Sequence, residues 1–388
     1  MKYLPFVLKN LLRKKTRSLL TIGSILLPLL VICILGTLLR ALDSDPSQGK
    51  GMFRLIVRHK VSLTSWLLES QGPKIRQIPG VTEVVRMNWF GGSYIDQSAK
   101  NQFARFSTSD PDALLRVFDE VTISQGSAEE WIRDRTGLLA GELLMKKYGW
   151  TLGQKVALKG DIYPINLELT IRGVFKGPDE TGVYFHHQYI EEALPRLKGF
   201  VGWYWIKAAS PEAAAKIPAQ VDALFENADP PTRTETEKEF QNGWVSMLGN
   251  VRLLLTSIAV IIGIVILLIA ANTMAMAARE RVTEIAVLRT LGFPKETILG
   301  MILGESVLLS VFGGLLGLGL FTFLYPGFRK AIQYSPMGGF AAGMGTFPDG
   351  LLLAVAFGAT LVIGLLAGLV PAVRASRRTI TDGLREVG

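Results

Sequence analysis

The sequence has 388 residues, of which 49% are hydrophobic, and carries 42 lysines and arginines against 33 aspartates and glutamates, a net charge of +9. A length of this kind is ordinarily shared between two or three domains, but a mean hydropathy of +0.31 excludes a purely water-soluble chain. The basic residues crowd at the ends of apolar runs, which signals membrane topology and argues against nucleic-acid binding.

Residues 1–17 set Leu4, Val7, Leu8, Leu11 and Leu12 at helical spacing beside Lys9, Arg13, Lys14, Lys15 and Arg17. This predicts an amphipathic helix on the cytoplasmic leaflet, with a loose basic flank as the equal alternative. Residues 18–42 form a first span, long enough to cross ~30 Å of hydrocarbon. Arg40-Ala41-Leu42-Asp43 lacks a small-x-small cleavage pattern, so the span reads as an uncleaved anchor. It contains Cys33, the only cysteine, which excludes an intrachain disulfide.

Residues 43–231 contain no span-length apolar run, and every tryptophan and histidine lies between Asp43 and Gly249. Short alternations of β-branched and aromatic residues predict strands at 55–58, 81–90, 155–160, 167–175 and 202–208. Helices are predicted at 64–78, 142–148 and 211–227. The result is an α+β domain of two lobes. Thr232-Arg233-Thr234-Glu235 reads as a capping box that opens a long helix through Phe240, Trp244 and Met247, a rigid stalk into the second span. Stalk and span together occupy 232–277, and Trp244 suits the interfacial belt.

A charged segment (278–296), a third span (297–325), a loop (326–349), a fourth span (350–371) and a tail (372–388) complete the chain. Basic residues cluster in 1–17, 278–296 and 372–388, whereas 326–349 holds only Arg329 and Lys330. Both termini and the 278–296 segment are therefore expected in the cytoplasm, and the large domain outside it.

The residues with chemistry to offer are few. In the charged segment Arg279, Glu280, Arg281, Glu284, Arg289 and Lys295 flank Ile285, Val287 and Leu288, so a short helix there has a charged and an apolar face and is built to touch a partner. Glu305 falls about two turns inside the third span, where a carboxylate is costly, and is expected to meet Asn272 across the hairpin; snorkelling to the headgroups is the simpler reading. Gly300 and Gly304, Gly313 and Gly317, and Gly364 and Gly368 each make a GxxxG spacing suited to close helix packing, within a subunit or between two, with a glycine-lined conduit as the lesser alternative.

His186-His187 with Glu191 and Glu192 is a weak metal candidate, because adjacent residues of an extended segment face opposite ways. Trp203, Tyr204 and Trp205 read as core before they read as a binding platform. Neither a GxSxG elbow nor a GxxxxGK[ST] phosphate loop occurs, so a hydrolase triad lacks support and ATP hydrolysis is expected on another chain.

The run NTMAMAARERVTEIAVLRTLGFPKETILGMILGESVLLSVFGGLLGLGL, from Asn272, resembles the FtsX-like permease domain of the MacB and LolC/LolE group of ABC transporters. The tail VPAVRASRRTITDGLRE (370–386) and the opening NLLRKKTRSLLTIGSI (10–25) are similar to the ends of that family. GELLMKKYGWTLGQKVAL (141–158) and LTIRGVFK (169–176) resemble its MacB-like periplasmic core, whereas 43–135 does so only loosely.

The resemblance implies a membrane protein of four transmembrane helices with a large extracytoplasmic α+β domain on helical stalks, in a bacterial inner membrane. It implies a permease subunit whose coupling helix, at Arg279 to Arg289, sits on a separate cytoplasmic ABC ATPase dimer that binds ATP and Mg; this chain binds no cofactor. A second permease subunit, identical or not, and a periplasmic adaptor are the other implied partners. An FtsX-type signalling subunit that controls a wall hydrolase is the alternative reading.

Overall fold

The computed structural model describes residues 15–43, 53–98, 101–177, 179–247, 249–280, 282–334 and 344–377. The amphipathic segment before residue 15, the tail beyond 377, Arg281 and the Trp244 side chain lie outside the described residues. The chain divides into two compact units. One comprises Met1–Arg40, Asn250–Phe328 and Met344–Gly388, and the other Ala41–Gly249 and Arg329–Gly343.

The first helix, α1 (Lys15–Asp43), is followed by the sheet unit. Its strands are β1 (Arg54–His59), β2 (Leu67–Leu68), β3 (Val81–Trp89), β4 (Gly92–Ser93), β5 (Ala104–Thr108), β6 (Thr122–Gly126) and β7 (Gly137–Gly141). They continue with β8 (Lys155–Gly160), β9 (Asn166–Lys176), β10 (Gly182–His186), β11 (Phe200–Val201), β12 (Trp203–Ala208) and β13 (Thr232–Thr236). Between them lie α2 (Gln71–Arg76), α3 (Pro111–Val117), α4 (Ala128–Arg133), α5 (Glu142–Tyr148), α6 (His187–Ala193) and α7 (Pro211–Leu224), and α8 (Glu237–Met247) closes the unit.

Among the described residues, one mixed sheet runs in the order β13-β1-β12-β3-β5-β10-β7-β9-β8-β4, with β6 also paired to β9; β11 and β2 form a separate ribbon. Most pairs are antiparallel, but β10 runs parallel to β5 and β7 parallel to β9. Successive side chains point to opposite faces of a sheet, and this alternation sorts the core. Ile56, Val85, Met87, Trp203 and Trp205 pack on one face against Ala113, Leu114 and Val117 of α3. On the other face Leu55, Val57, Val84 and Tyr204 pack beneath Ile75 of α2 and Ile217 and Val221 of α7. Farther along that same face Leu138, Ala140, Val183 and Phe185 pack beneath Leu144 of α5 and Ile190 of α6. The two expected lobes are thus two cores on one continuous sheet.

All five predicted strands are present, as β1, β3, β8, β9 and β12, and α5 and α7 fall where helices were expected. The helix expected over 64–78 contracts to α2, because Leu67 and Leu68 pair instead with Val201 and Phe200. The stalk also differs. Residues 232–236 are strand, not helix: Thr232 and Thr234 are buried, and both hydroxyls donate to Asp222. The capping box sits four residues later. There the Glu239 N–H donates to Thr236 Oγ1 at 3.2 Å, and the Thr236 N–H donates to Glu239 Oε2 at 2.8 Å.

The single long helix is in fact two. α8 ends at Met247, Gly249 adopts φ 85°, and Asn250 Oδ1 accepts the Leu253 N–H to cap α9 (Val251–Glu280). Then follow α10 (Val282–Thr290), α11 (Lys295–Gln333) and α12 (Gly350–Arg377). Among the described residues α1, α9, α11 and α12 are long and apolar enough to cross a membrane.

Small residues bring these helices together. A methyl added at Gly313 of α11 would lie 2.9 Å from Ile25 Cβ of α1, and one at Gly317 would lie 3.3 Å from the Leu26 carbonyl. On α12, a methyl at Gly368 would lie 2.7 Å from Ser306 Cβ, and one at Gly364 would fall on the Ser310 hydroxyl. Ser306 Oγ donates to the Gly364 carbonyl at 2.5 Å. Gly300 and Gly304 make no close contact within the described chain, since an added methyl meets nothing within 4 Å at either, which leaves packing between two subunits as the use the sequence allows them. The spacing is the same, but their face of α11 has no helix against it among the described residues.

Candidate functional site

The turn between α9 and α11 is built to hold a short helix in place. α10 stops in a Schellman arrangement: the Gly292 N–H bonds the Arg289 carbonyl, the Phe293 N–H bonds the Leu288 carbonyl, and Gly292 has φ 90°. Pro294 follows, and its carbonyl accepts the Thr297 N–H in the first turn of α11.

The two faces of α10 have separate uses. Ile285 is buried against Ile298 of α11 and Ala375 of α12, so this side chain anchors the helix and does not reach outward. Glu284 is exposed, as are Val287 at 47% and Leu291 at 71%. Leu288 and Arg289 are half-buried, and Arg279 and Glu280 are exposed at the end of α9. Sequence periodicity missed Leu291, because only the packing of α10 tells which apolar residues it spends on its own bundle. Beside α10 is a small cleft of about 70 Å³ with Arg279, Arg289 and Arg374 on its walls, together with Val282, Ala286 and Pro371.

Of the intramembrane polar pair, Glu305 is buried at 4% exposure while Asn272 is exposed on α9, so the expected contact between them is not formed. The helical period of α9 turns Asn272 away from α11.

In the sheet unit Trp203, Tyr204 and Trp205 are all buried, as core. The histidine pair splits as its position at the end of β10 requires. His186 Nε2 bonds the Trp131 carbonyl at 2.7 Å on one face, and His187 Nδ1 bonds Ser107 Oγ at 2.9 Å on the other. Among the described residues no group of three or more His, Cys, Asp or Glu side chains is placed to hold a metal ion.

Burial, and then the Arg86 charge, push the His187 imidazole down from 6.5 to about 4. Between those values the unfolded chain takes up a proton that the native one refuses, so stability falls as pH drops through this window. The full loss is about 3 kcal/mol. Thermal melts of the chain in detergent from pH 7 to pH 4.5 should show a slope that His187→Gln flattens.

Comparison with known proteins bears on the helical unit first. Residues 256–380, from within α9 to beyond α12, match the family described as FtsX-like permease C-terminal. The chain carries an FtsX-like permease domain. The chain is similar over 339 residues, at 22% identity, to an ABC transporter permease of Methanocaldococcus jannaschii, covering 81% of each chain. It is also similar, at 25% identity over 279 residues, to a pyoverdine export ATP-binding/permease protein of Pseudomonas fluorescens, covering 69% of the permease and 39% of that protein.

Two solved structures resemble the permease in its sheet unit. One is the extracellular domain of the ABC-type transporter YknZ from Gram-positive bacteria, at 11% identity and a TM-score of 0.37, covering 47% of the permease and 99% of that domain. The other is the periplasmic region of MacB from Actinobacillus actinomycetemcomitans, at 9% identity and a TM-score of 0.36, covering 51% and 93%.

Proposed function

We propose that this permease is the non-enzymatic transmembrane subunit of an ABC system, and that it converts ATP hydrolysis on a separate cytoplasmic ATPase dimer into movement of its sheet unit against cargo outside the cytoplasm. Two permease subunits face one ATPase dimer, ATP and Mg stay on the ATPase, and an extracytoplasmic adaptor is a further partner. The spans supply levers, since the buried polar side chains on α11 are few and spent on helix contacts rather than on a conduit.

The observation that carries this reading is the construction of α10. A helix clamped by Ile285 and a Schellman stop, with Glu284, Val287 and Leu291 facing outward, is a rigid knob with charged and apolar contacts to give. The positive-inside pattern supports this reading, since it favours the cytoplasmic side for that knob.

The test is affinity purification of the full chain in mild detergent with mass spectrometry of what accompanies it. An ABC ATPase at equal subunit count is expected, and Glu284→Lys or Leu291→Asp should reduce its recovery about tenfold, a loss near 1.4 kcal/mol. The melting curve should not move, because both side chains are exposed. Unchanged recovery and coupled ATPase activity in both variants would overturn the assignment of α10. Recovery of a wall hydrolase without an ATPase would favour the signalling reading.

A further inference from the structure

The face of α10 turned towards its own bundle does more than anchor the helix. Ile285, Ala286 and Arg289 recur at helical spacing on one wall of the small cleft, and Arg279 of α9 and Arg374 of α12 stand on the others. At 100° per residue Glu284, Val287 and Leu291 project from the opposite side of α10. Among the described residues the cleft walls carry three guanidiniums and no carboxylate, and Glu280 and Glu284 are exposed and stand off them. Like charges gathered between packed helices repel, and an anion seated among them relieves the repulsion.

The chemistry of the walls selects the anion. Guanidinium forks match the oxygens of a phosphate. A volume of about 70 Å³ holds about five water-sized groups, the bulk of one phosphate. Basic pockets between membrane helices are where lipid headgroups bind.

The surface beyond the cleft points to a lipid and not to a free ion. Arg279 is in the last turn of α9, Arg374 is near the end of α12, and these two helices pack together. Towards the middle of the spans, helical spacing leads from Arg374 to Val370 and Leu366, and from Arg279 through Ala275 and Asn272 to Leu268. Val370, Leu366 and Leu268 are exposed, so an apolar track runs from the cleft along both helices. Asn272 is exposed on that track, about 10 Å from Arg279 along the helix axis. An amide at this depth has no water to bond, and it stands where the glycerol esters of a phospholipid lie.

We propose that this cleft binds the phosphate of an acidic membrane lipid, with Arg279, Arg289 and Arg374 around its oxygens, the Asn272 amide donating to an ester carbonyl, and acyl chains along Val370 and Leu366. A choline headgroup brings its own cation into the cleft and forfeits part of the attraction. Once filled, the cleft ties α10 to α9 and α12 and adds to the hold of Ile285. The site lies away from Glu284 and Leu291 and needs neither ATPase nor nucleotide, so its failure leaves the coupling assignment untouched.

The experiment is native mass spectrometry of the full chain in mild detergent, titrated with phosphatidylglycerol, with phosphatidylcholine of the same acyl chains, and with inorganic phosphate as competitor. Phosphatidylglycerol should bind at least about tenfold more tightly than phosphatidylcholine, and equimolar inorganic phosphate should not displace it. The double variant Arg279→Gln, Arg374→Gln should bring the two lipids together without moving the melting curve, because both side chains are exposed. Lys295→Gln, which removes an exposed cation at the start of α11 and off the cleft, should leave the ratio as it was. Asn272→Leu should weaken both lipids alike by about fivefold, the worth of one hydrogen bond. Equal binding of the two lipids to the parent chain, or the same collapse in Lys295→Gln, would overturn the proposal. Displacement by inorganic phosphate, or no loss in Asn272→Leu, would overturn the lipid as the occupant.

Discussion

Arg54→Ala is expected to lower the unfolding midpoint of the sheet unit by roughly 6–20 °C, the effect of about 3–5 kcal/mol on a domain of this size. Arg54, on β1, is 4% exposed, and its guanidinium pairs with Glu120 and, at 3.0 Å, with Glu237, the first residue of α8. It also lies over the Phe118 ring, 4.7 Å from the centroid. Removing it takes from two carboxylates in a poorly hydrated site the guanidinium they share, and that penalty exceeds what the pair contributes when intact. The combined variant Arg54→Met, Glu120→Met, Glu237→Gln should therefore recover most of the loss. Near-ultraviolet circular dichroism of the chain in detergent reads both; a shift under about 2 °C for Arg54→Ala would mean that water reaches these carboxylates.

Gly364→Val is expected to separate α12 from α11, with the folded fraction in detergent lost at lower temperature by an amount corresponding to about 1–3 kcal/mol. The branched side chain would displace the Ser310 hydroxyl and break the bond from Ser306 Oγ to the Gly364 carbonyl. Lipid offers no hydrophobic drive to restore the contact, since helices in a bilayer associate by close packing and hydrogen bonds. Gly300→Ala is the matched control. Nothing lies within 4 Å of its added methyl, and helix propensity favours alanine by about 1 kcal/mol, so this variant should equal or exceed the parent. Size-exclusion profiles after stepped heating compare the two directly, and an equal loss in both would show that glycine is needed along all of α11.

The sequence revealed strands where alternation writes one face of a sheet, as in Lys155-Val156-Ala157-Leu158 and Leu167-Glu168-Leu169, and it revealed spans through length and apolarity. It concealed β7, Gly137-Leu138-Leu139-Ala140-Gly141, because a strand buried on both faces has no polar beat. With β5 and β10 also unread, the parallel centre of the sheet was out of sight. The stalk cap failed for a different reason. Thr232, Thr234 and Thr236 each stand three residues before a glutamate, and only pairing to β1 and the bonds to Asp222 decide among them.

The candidate sites divide in the same way. The α10 segment was legible from its charges, but not which apolar side chains it keeps for itself. Ile285 turns inward and Leu291 outward because of Ile298 and Ala375, which are remote in sequence. The GxxxG pairs share one spacing but differ in neighbours. The bond between His187 and Ser107 joins residues 80 positions apart, and periodicity carries no trace of it.

The first and last strands of the sheet unit are hydrogen-bonded neighbours at one edge, with Leu55 opposite Thr236 and His59 opposite Thr232. Adjacent strands lie about 5 Å apart, so the unit leaves the chain almost where it entered. A module with its ends so placed behaves as a cassette: it can be lengthened, replaced or exchanged between hosts while the helices on either side keep their registration. Diversification of what such a protein grasps then needs no invention in the bundle, only a new insert between two fixed points.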